Sequence, residues 1–379
     1  GLWSELPGRN LLAEIDQASG VGQVWRPLSM VPSQTENALF SLLVPAAVLV
    51  AASQLSEDEL FKLLPVVLAL GMLSGLIGVL QAIGGGGSFY FYRVTNFGSA
   101  VGLFANRNHQ ALLLAILFPV LAAFASTRSR SAERARAKQW IAFALSLVLV
   151  PLLLITGSRA GIVLGVLAFG LAAFVYRPQG AAGSDRRRTK RQWPVFLLVA
   201  LSLLAVVAVA IGLSRSEAID RLVATDRSEA DRLEFWPVIW QMAKEYFPTG
   251  SGIGSFVEVY QVSEPDKLLR PQYLNHAHND WLELILTGGL PAILLLTAAV
   301  VTFALLVKQL LWNEGLRGRS RSIGLLGAAI VLLMLLSSIV DYPLRTPIAL
   351  ALFVVAAVWL SNAALRPQRL GGVFVGADK

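Results

Sequence analysis

Residues 281–307 read WLELILTGGLPAILLLTAAVVTFALLV, and this apolar run decides the fold. A helix rises 1.5 Å per residue, so a run of this length can cross a hydrocarbon core about 30 Å thick. The strands of a transmembrane barrel are shorter and alternate apolar with polar residues, so they do not fit the run. Because backbone groups in lipid must be satisfied within their own segment, the run predicts a membrane-spanning helix.

Eight further apolar segments extend this pattern along the chain. The nine predicted spans are 38–52, 63–83, 110–126, 140–156, 160–176, 194–214, 281–307, 323–340 and 347–361. Of the 379 residues, 55% are hydrophobic and 15% charged, whereas a soluble domain carries about 25% charged residues. We therefore predict an all-α, polytopic transmembrane helical bundle with about nine spans. The composition excludes a disordered chain, and the absence of cysteine excludes disulfide frameworks, thiolate zinc sites, iron–sulfur clusters and Cys nucleophiles.

Lysine and arginine residues concentrate in loops that share one side of the predicted bundle. Threading nine spans puts the loops 127–139, 177–193 and 308–322 and the tail 362–379 on that side. Cytoplasmic loops carry an excess of Lys and Arg, so this side is assigned to the cytoplasm. The net charge of +8 then reflects topology and contact with lipid headgroups, and we expect membrane lipids but no nucleic acid as partners.

The opposite, external side receives most of the remaining polar segments. They are 1–37, 84–109, the turn Gly157–Arg159, 215–280 and the turn Asp341–Arg345. We divide the chain into an interfacial N-terminal segment, membrane helices, a large external loop, further membrane helices and a cytoplasmic tail. These five parts are 1–37, 38–214, 215–280, 281–361 and 362–379. An odd span count places the termini on opposite faces and the sequence does not start with Met, so we expect a fragment that lacks an odd number of N-terminal spans.

Two external motifs precede predicted membrane helices. Asn106-Arg107-Asn108-His109 is either a helix cap with an interfacial anchor or a set of donors aimed at a polar headgroup. In Gly157-Ser158-Arg159-Ala160-Gly161 the turn is so short that Arg159 must lie at or just below the interface. The Arg159 side chain either snorkels to water or forms a fixed cation for phosphate, which a guanidinium binds through two parallel hydrogen bonds.

The 215–280 loop carries many arginines and one predicted helix. The arginines are Arg215, Arg221, Arg227, Arg232 and Arg270. Apolar residues at helical spacing predict an amphipathic helix flat on the interface: Leu233, Trp236, Trp240, Ala243 and Phe247. Pro237 favours an early kink or a helix start near that position. The run Gly250-Ser251-Gly252-Ile253-Gly254 is either a turn or a phosphate-binding loop, and a turn is favoured because no strand precedes it and no Lys follows it.

All three histidines, His109, His276 and His278, lie on the external side near the start of a predicted membrane helix. Asp280 and Glu283 fit a capping box, which would hold His278 just outside a helix N-terminus. The helix dipole there favours a neutral imidazole ring, as a general base requires. A zinc site would need further ligands, of which His109 could supply one, and we expect no metal.

These groups point to group transfer from a polyprenyl-diphosphate carrier. The external side has neither a Ser-His-Asp arrangement nor a DxD pair for a sugar-nucleotide metal. Arginines can neutralise a diphosphate leaving group without a divalent ion, and a neutral His can take a proton from an attacking hydroxyl. A lipid-linked donor would place its phosphates at the depth of Arg159. We therefore expect no cofactor.

The ordered motifs resemble the O-antigen ligase/polymerase superfamily of bacterial envelope glycosyltransferases, whose members share a Wzy-type C domain. The matching stretches are Asn106–His109, Gly157–Arg159, Arg232–Trp236, Pro248–Gly254, His276–Asn279 and Gly288–Leu290. They cover roughly residues 100–300, and the number of flanking helices agrees with that of the superfamily. Each motif is weak alone, and the ordered set indicates the superfamily without specifying the member.

The resemblance implies a GT-C-like bundle in the bacterial inner membrane, with a large periplasmic loop and an active site facing the periplasm. It implies transfer of a glycan from undecaprenyl diphosphate to a lipid A–core sugar hydroxyl, to another lipid-linked repeat, or to a protein Ser or Thr. It assigns the catalytic base to His278 and contacts with the diphosphate to Arg159 and Arg232. Further substrate contacts are expected from Arg215, Asn106, Arg107, His109, His276 and Asn279.

We expect an inverting, metal-independent O-antigen ligase, with an O-antigen or exopolysaccharide polymerase as the alternative. A polysaccharide transporter or flippase is the alternative of another class. It predicts charges in helix centres and broken helices in repeated positions, whereas here the polar groups collect on one face. Asp341 and Arg345 either line the site or pair across their turn, and the sequence leaves both open.

Overall fold

The computed structural model describes most of the chain. The described residues are 3–21, 25–84, 89–127, 129–177, 227–269, 273–313, 316 and 318–366. Every regular element among them is helical, which confirms the all-α prediction. The α-helices are α1 (Asn10–Ala18), α2 (Pro32–Ser41), α3 (Leu43–Gln54), α4 (Glu57–Ile83), α5 (Arg107–Ala125), α6 (Ala132–Ile155), α7 (Arg159–Val175), α8 (Arg227–Glu245), α9 (Phe256–Ser263), α10 (Asp280–Trp312), α11 (Gly318–Ser337) and α12 (Pro347–Ala364).

Seven helical stretches of the described chain are long and apolar enough to cross a membrane. They are Pro32–Gln54, Asp58–Ile83, Arg107–Ala125, Ala132–Ile155, Asp280–Trp312, Gly318–Ser337 and Pro347–Ala364. The apolar helix α7 has 17 residues. Eight of the nine predicted segments thus coincide with helices, and the ninth, 194–214, lies outside the described residues. The polytopic helical bundle is confirmed, with an approximate span count.

The first of these stretches is interrupted where one continuous helix was expected. α2 ends at Ser41 and α3 begins at Leu43. Pro45 lacks an N–H and therefore cannot donate to the carbonyl of Ser41, which removes one bond from the helical ladder at this point.

The chain divides into two compact units. Unit 1 comprises Gly1–Ala51, Asp220–Val301 and Met334–Leu352. Unit 2 comprises Ala52–Ile219, Thr302–Leu333 and Phe353–Lys379.

α5 is the central helix of unit 2, and nearly all of its residues are buried. It packs closely against α7, and a Cβ atom placed on Gly161 would lie 2.3 Å from the Cβ of Ala111. Glycine at this position therefore lets the two helices approach each other closely.

The chain segment that leads into α5 is held by polar side chains of α4. The Gln81 side-chain oxygen accepts hydrogen bonds from the backbone N–H groups of Val101 and Gly102, at 3.0 and 2.7 Å. The Ser74 hydroxyl accepts from the N–H of Leu103 at 3.1 Å. These bonds satisfy backbone groups that have no partner within a helix, which membrane-embedded irregular backbone requires.

α8 confirms a helix in the 215–280 loop but corrects one expectation for it. It begins at Arg227, well before Pro237, so the prediction of a start near Pro237 was wrong. The helix continues through the proline, with buried side chains on both sides of it. These side chains are Phe235, Ile239, Met242, Ala243 and Tyr246. Of the predicted apolar face, Ala243 belongs to this cluster and Trp236 packs against it, whereas Trp240 and Phe247 are 51% and 45% exposed. The position of this face on the membrane interface stays a prediction.

α10 is broken at Gly289, whose backbone angles (φ 55°, ψ −143°) are far from helical. Pro291 follows and has no N–H to donate to the carbonyl of Thr287. The break divides the helix into a segment packed within unit 1, which includes buried Leu286, and a more exposed segment. Leu294 and Leu295 of that second segment are 62% and 72% exposed, as expected of lipid-facing residues.

The loop 248–252 supplies the hydrogen bonds that the break removes from α10. The bonds run from Ser251 N to Leu286 O (3.1 Å), from Gly252 N to Thr287 O (2.8 Å) and from Leu290 N to Pro248 O (2.8 Å). The two glycine-containing motifs, Pro248–Gly254 and Gly288–Leu290, therefore form one structural feature. Since backbone N–H groups of the loop are bound to α10, the turn interpretation fits this run and the phosphate-loop interpretation does not.

We predict that Gly289→Ala strongly destabilises unit 1. A Cβ at this position would lie 2.2 Å from the carbonyl oxygen of Pro248, and the positive φ adds strain, so we expect a loss of at least about 3 kcal/mol. The measurement is thermal unfolding of purified protein in detergent. Gly170→Ala is the control, because Gly170 lies inside α7 with open space around it and should gain up to about 1 kcal/mol. Equal stability of the two variants would contradict the prediction.

Candidate active site

The candidate site of unit 1 is the turn that leads into α10. Asn279 caps this helix: its side-chain oxygen accepts a hydrogen bond from the N–H of Leu282 at 3.0 Å. The predicted capping box of Asp280 and Glu283 was therefore wrong. Asp280 is already the first helical residue, and its carboxylate contacts Arg345 instead of the helix backbone.

His278 lies in this turn with a positive φ of 48°, which few non-glycine residues adopt. The backbone on both sides of it is held by hydrogen bonds. Ala277 N–H donates to Glu283 Oε2 at 2.8 Å, and Asp280 N–H donates to the carbonyl of Ser338 at 2.9 Å. The unusual conformation is thus fixed by contacts on either side of the histidine.

The His278 ring contacts a buried carboxylate. Nδ1 of His278 lies 3.2 Å from Oδ1 of Asp341, whose side chain is 1% exposed. Tyr342 donates its backbone N–H to the same oxygen at 3.0 Å, and its ring packs edge-to-face on His278 at a centroid distance of 5.0 Å. A neutral His278 that donates Nδ1–H to Asp341 keeps its Nε2 lone pair as the basic site.

His276 also contacts a buried carboxylate, but that carboxylate has a second partner. Its Nδ1 lies 3.2 Å from Oε1 of Glu283, and the same oxygen forms an ion pair with Arg345 Nη2 at 3.1 Å. The ring of His276 also lies against Tyr342, with a centroid distance of 4.3 Å. The cation of Arg345 partly neutralises the carboxylate that His276 contacts.

Asp341 and Arg345, which the sequence left open, both contact the 276–283 segment. Asp341 contacts His278, and Arg345 forms ion pairs with Asp280 (3.0 Å) and Glu283. The sequence signal was two opposite charges in a short turn between apolar helices, which suggested a pair across that turn. The choice of partners depends on α10 lying beside this turn, which no local pattern reveals.

Unit 2 brings together the N-termini of α5 and α7. Asn106 caps α5, with its side-chain oxygen accepting from the N–H of Asn108 at 2.8 Å. Ser158 caps α7 by accepting from the N–H of Gly161, and its hydroxyl donates to the Asn108 side-chain oxygen at 2.7 Å. Arg159 is the first residue of α7 and is partly exposed.

Two other predicted residues flank this pair of helix ends. Arg107 is the first residue of α5, and its N–H donates to Asn96 Oδ1 at 3.0 Å. His109 is 2% exposed and packs edge-to-face on Phe104 at 6.1 Å. It therefore belongs to the core of unit 2, and the expected substrate contact of His109 stays a prediction.

The predicted site residues divide between the two units. His276, His278 and Asn279 lie in unit 1, and Asn106, Arg107, His109 and Arg159 lie in unit 2. Arg232 lies on α8, but its side chain is outside the described part of the structure, and Arg215, Arg221 and Arg270 also lie outside the described residues. Among the described residues, no group of three or more His, Cys, Asp or Glu side chains could hold a metal ion.

The N-terminal segment contributes a residue that sequence reasoning missed. Arg9 is 1% exposed, and its guanidinium donates to the carbonyls of Leu28 (2.6 Å) and Gly250 (3.0 Å) and contacts the hydroxyl of Thr249 (3.3 Å). Burial lowers the pKa of Arg9, while its carbonyl and hydroxyl partners stabilise the charge. Residues 1–37 were expected to lie on the membrane interface. In the structure, this segment also packs on the 248–252 loop, which supplies hydrogen bonds to the break in α10.

We predict that Arg345→Met destabilises the protein by about 3–5 kcal/mol. The substitution removes the guanidinium that forms ion pairs with the buried carboxylates of Asp280 and Glu283. Thermal unfolding in detergent measures the effect. Arg134→Met serves as the control, since Arg134 is exposed on α6 and its replacement should change stability by less than about 0.5 kcal/mol. A similar small effect of both replacements would contradict a structural role for the Arg345 ion pairs.

A family model described as O-Antigen ligase (Wzy_C) matches residues 141–297. The match includes Gly157–Arg159, both motifs that meet at the α10 break and the His276–Asn279 turn, whereas Asn106–His109 precedes it. A search of curated proteins finds no match to the chain. The family match supports the resemblance drawn from the sequence motifs: residues 141–297 of this membrane protein are similar to the O-antigen ligase family.

Proposed function

We propose that the protein is an O-antigen ligase-type glycosyltransferase of the bacterial inner membrane. It moves a glycan from undecaprenyl diphosphate to a hydroxyl of a lipid A–core sugar on the periplasmic face. The family match supports a membrane ligase or polymerase in general. The observation that carries the proposed chemistry is the contact between His278 and the buried carboxylate of Asp341.

His278 acts as the general base in this proposal. Asp341 is held by its burial and by the N–H of Tyr342, so it can orient the His278 ring and stabilise the imidazolium that forms. His278 itself is 17% exposed and can meet a substrate hydroxyl. His276 is the less suitable base, because Arg345 shares its carboxylate.

Arg159 is assigned to the diphosphate of the donor. Its place at the N-terminus of α7 adds the positive end of the helix dipole to the guanidinium charge. The bond between Ser158 and Asn108 ties this terminus to that of α5, which begins with Arg107. Two helix N-termini and two arginines suit a group with several negative charges.

The proposed reaction is an in-line displacement that inverts the anomeric carbon. The acceptor oxygen forms a bond to that carbon as the bond to the diphosphate oxygen breaks. The acceptor proton moves to Nε2 of His278, and the electron pair leaves with undecaprenyl diphosphate, whose charge arginines neutralise. These side chains supply the acid–base and electrostatic roles without a metal or a cofactor.

A polymerase of the same superfamily is the alternative, and it differs in its acceptor, the end of another lipid-linked repeat. Purified protein, a lipid-linked glycan and each acceptor in turn, without added metal or nucleotide, give the deciding assay. Product with the lipid A–core acceptor supports the ligase, and a lengthened lipid-linked glycan supports the polymerase. Movement of the donor across a vesicle membrane without any glycosidic product would instead support a transporter or flippase.

We predict that His278→Gln lowers the transfer rate by about 10²–10⁴-fold, because the acceptor loses its general base. His276→Gln is the matched control: this histidine lies in the same turn, contacts a carboxylate and packs on Tyr342, as His278 does. It should lower the rate by less than about tenfold. Rates are compared at saturating donor, after both variants are shown to insert and to elute as wild type does. A larger loss for His276→Gln would move the base to His276.

We predict that Arg159→Lys lowers the ratio kcat/KM for the donor by about 10–100-fold. Lysine keeps the charge but loses the planar fork that binds two phosphate oxygens at once. Arg134→Lys, on an exposed face of α6, should leave the ratio unchanged. Wild-type donor kinetics in Arg159→Lys would remove Arg159 from the diphosphate site and leave the His278 assignment in place.

A further inference from the structure

The end of unit 2 that the positive-inside rule assigns to the cytoplasm gathers cations from several helices. Hydrogen bonds between helix ends hold this region together. They join Ser126 to the N–H of Arg177 (2.8 Å), Ser322 to the carbonyl of Val175 (2.9 Å), Lys138 to Thr127 (2.7 Å) and Arg366 to Ser320 (2.9 Å). The ends of α5 and α7 and the starts of α6 and α11 are therefore neighbours.

Like charges lie close together at this end. The positive charges of Lys138 and Arg319 repel each other. Burial lowers the pKa of Arg177, and the neighbouring guanidinium of Arg321 lowers it further. Cations are thus held near one another in partly buried positions, where their repulsion is screened less than at an open surface.

Among the described residues, the partners of Arg319 and Arg321 compensate little of their positive charge. Arg319 pairs with Asp58 at 2.7 Å and stacks on Phe61 at 3.5 Å, but the Asp58 side chain is 80% exposed. Arg321 instead donates to the carbonyls of Leu311 and Asn313, both at 3.3 Å. An anion from outside the chain would lower the electrostatic free energy of the cluster.

Exposed tryptophans mark this end as the depth of lipid headgroups. Trp140, two residues after Lys138, is 68% exposed. Trp312, at the end of α10, is 71% exposed and lies under the ammonium of Lys308 at 4.5 Å. Tryptophan is enriched at the membrane–water interface, and basic clusters between membrane helices on the cytoplasmic side suit anionic headgroups.

We propose that the ends of α5 and α7 and the starts of α6 and α11 form a binding site for the phosphate of an anionic phospholipid. Lys138, Arg177, Arg319 and Arg321 supply its positive charge. None of these four cations is among the residues assigned to glycan transfer, and the proposal does not depend on that transfer.

The test measures lipid binding to the purified full chain in nonionic detergent by native mass spectrometry. Phosphatidylglycerol is the probe, and phosphatidylcholine and inorganic phosphate are the comparisons. We expect wild-type protein to retain phosphatidylglycerol in preference to phosphatidylcholine, and inorganic phosphate at millimolar concentration to displace little of it. Equal retention of the two lipids would overturn the proposal, and full displacement by phosphate would assign the site to a free anion instead.

Charge variants locate the site. The double variant Lys138→Gln/Arg177→Gln should weaken phosphatidylglycerol binding by about tenfold to thirtyfold. The control Arg134→Gln/Arg136→Gln removes the same amount of charge from exposed positions at the start of α6. It should weaken phosphatidylglycerol binding by less than about threefold. Equal weakening by both pairs would show a diffuse surface effect and overturn the proposal. If the first double variant does not fold, Lys138→Gln and Arg177→Gln are measured singly against Arg134→Gln, and the same two outcomes decide.

Discussion

The exchange of backbone hydrogen bonds between the 248–252 loop and the broken turn of α10 is the interaction on which unit 1 depends. A helix interrupted at Gly289 and Pro291 leaves carbonyl and N–H groups without helical partners. The loop supplies these partners, and the loop in turn is held by the N-terminal segment through the buried guanidinium of Arg9. The break therefore fixes where α10 changes from a protein-packed to a more exposed helix.

The same constraint, that buried polar groups need partners, organises the turn before α10. Glu283 accepts from the backbone N–H of Ala277, contacts His276 and forms an ion pair with Arg345, and Asp280 forms a second ion pair with Arg345. These bonds hold His278 in its uncommon backbone conformation next to Asp341. The rigid surroundings suit a general base, whose position relative to the substrate hydroxyl must be defined within a fraction of an ångström.

Much of the fold could be predicted because long apolar runs form helices in lipid, where each segment must satisfy its own backbone hydrogen bonds. Eight predicted spans coincide with helices. The errors were local choices between similar patterns. At α8, Pro237 permitted either a kink or a helix start, and the helix in fact begins earlier, at Arg227. At the start of α10, Asn279 and Asp280 are both good capping residues, and the cap fell on Asn279 because Arg345 draws Asp280 away.

The sequence by itself determined the membrane class, the helical architecture and the resemblance to the O-antigen ligase family, because apolar length and the ordered motifs are properties of the chain alone. Only the tertiary structure decided the partners of the polar side chains. Asp341 and His278 are 63 residues apart, with all of α10 and α11 between them, and meet at 3.2 Å; Arg9 reaches Gly250 across a still longer stretch. Such contacts depend on how helices pack, and side-chain chemistry alone permits many alternative pairs.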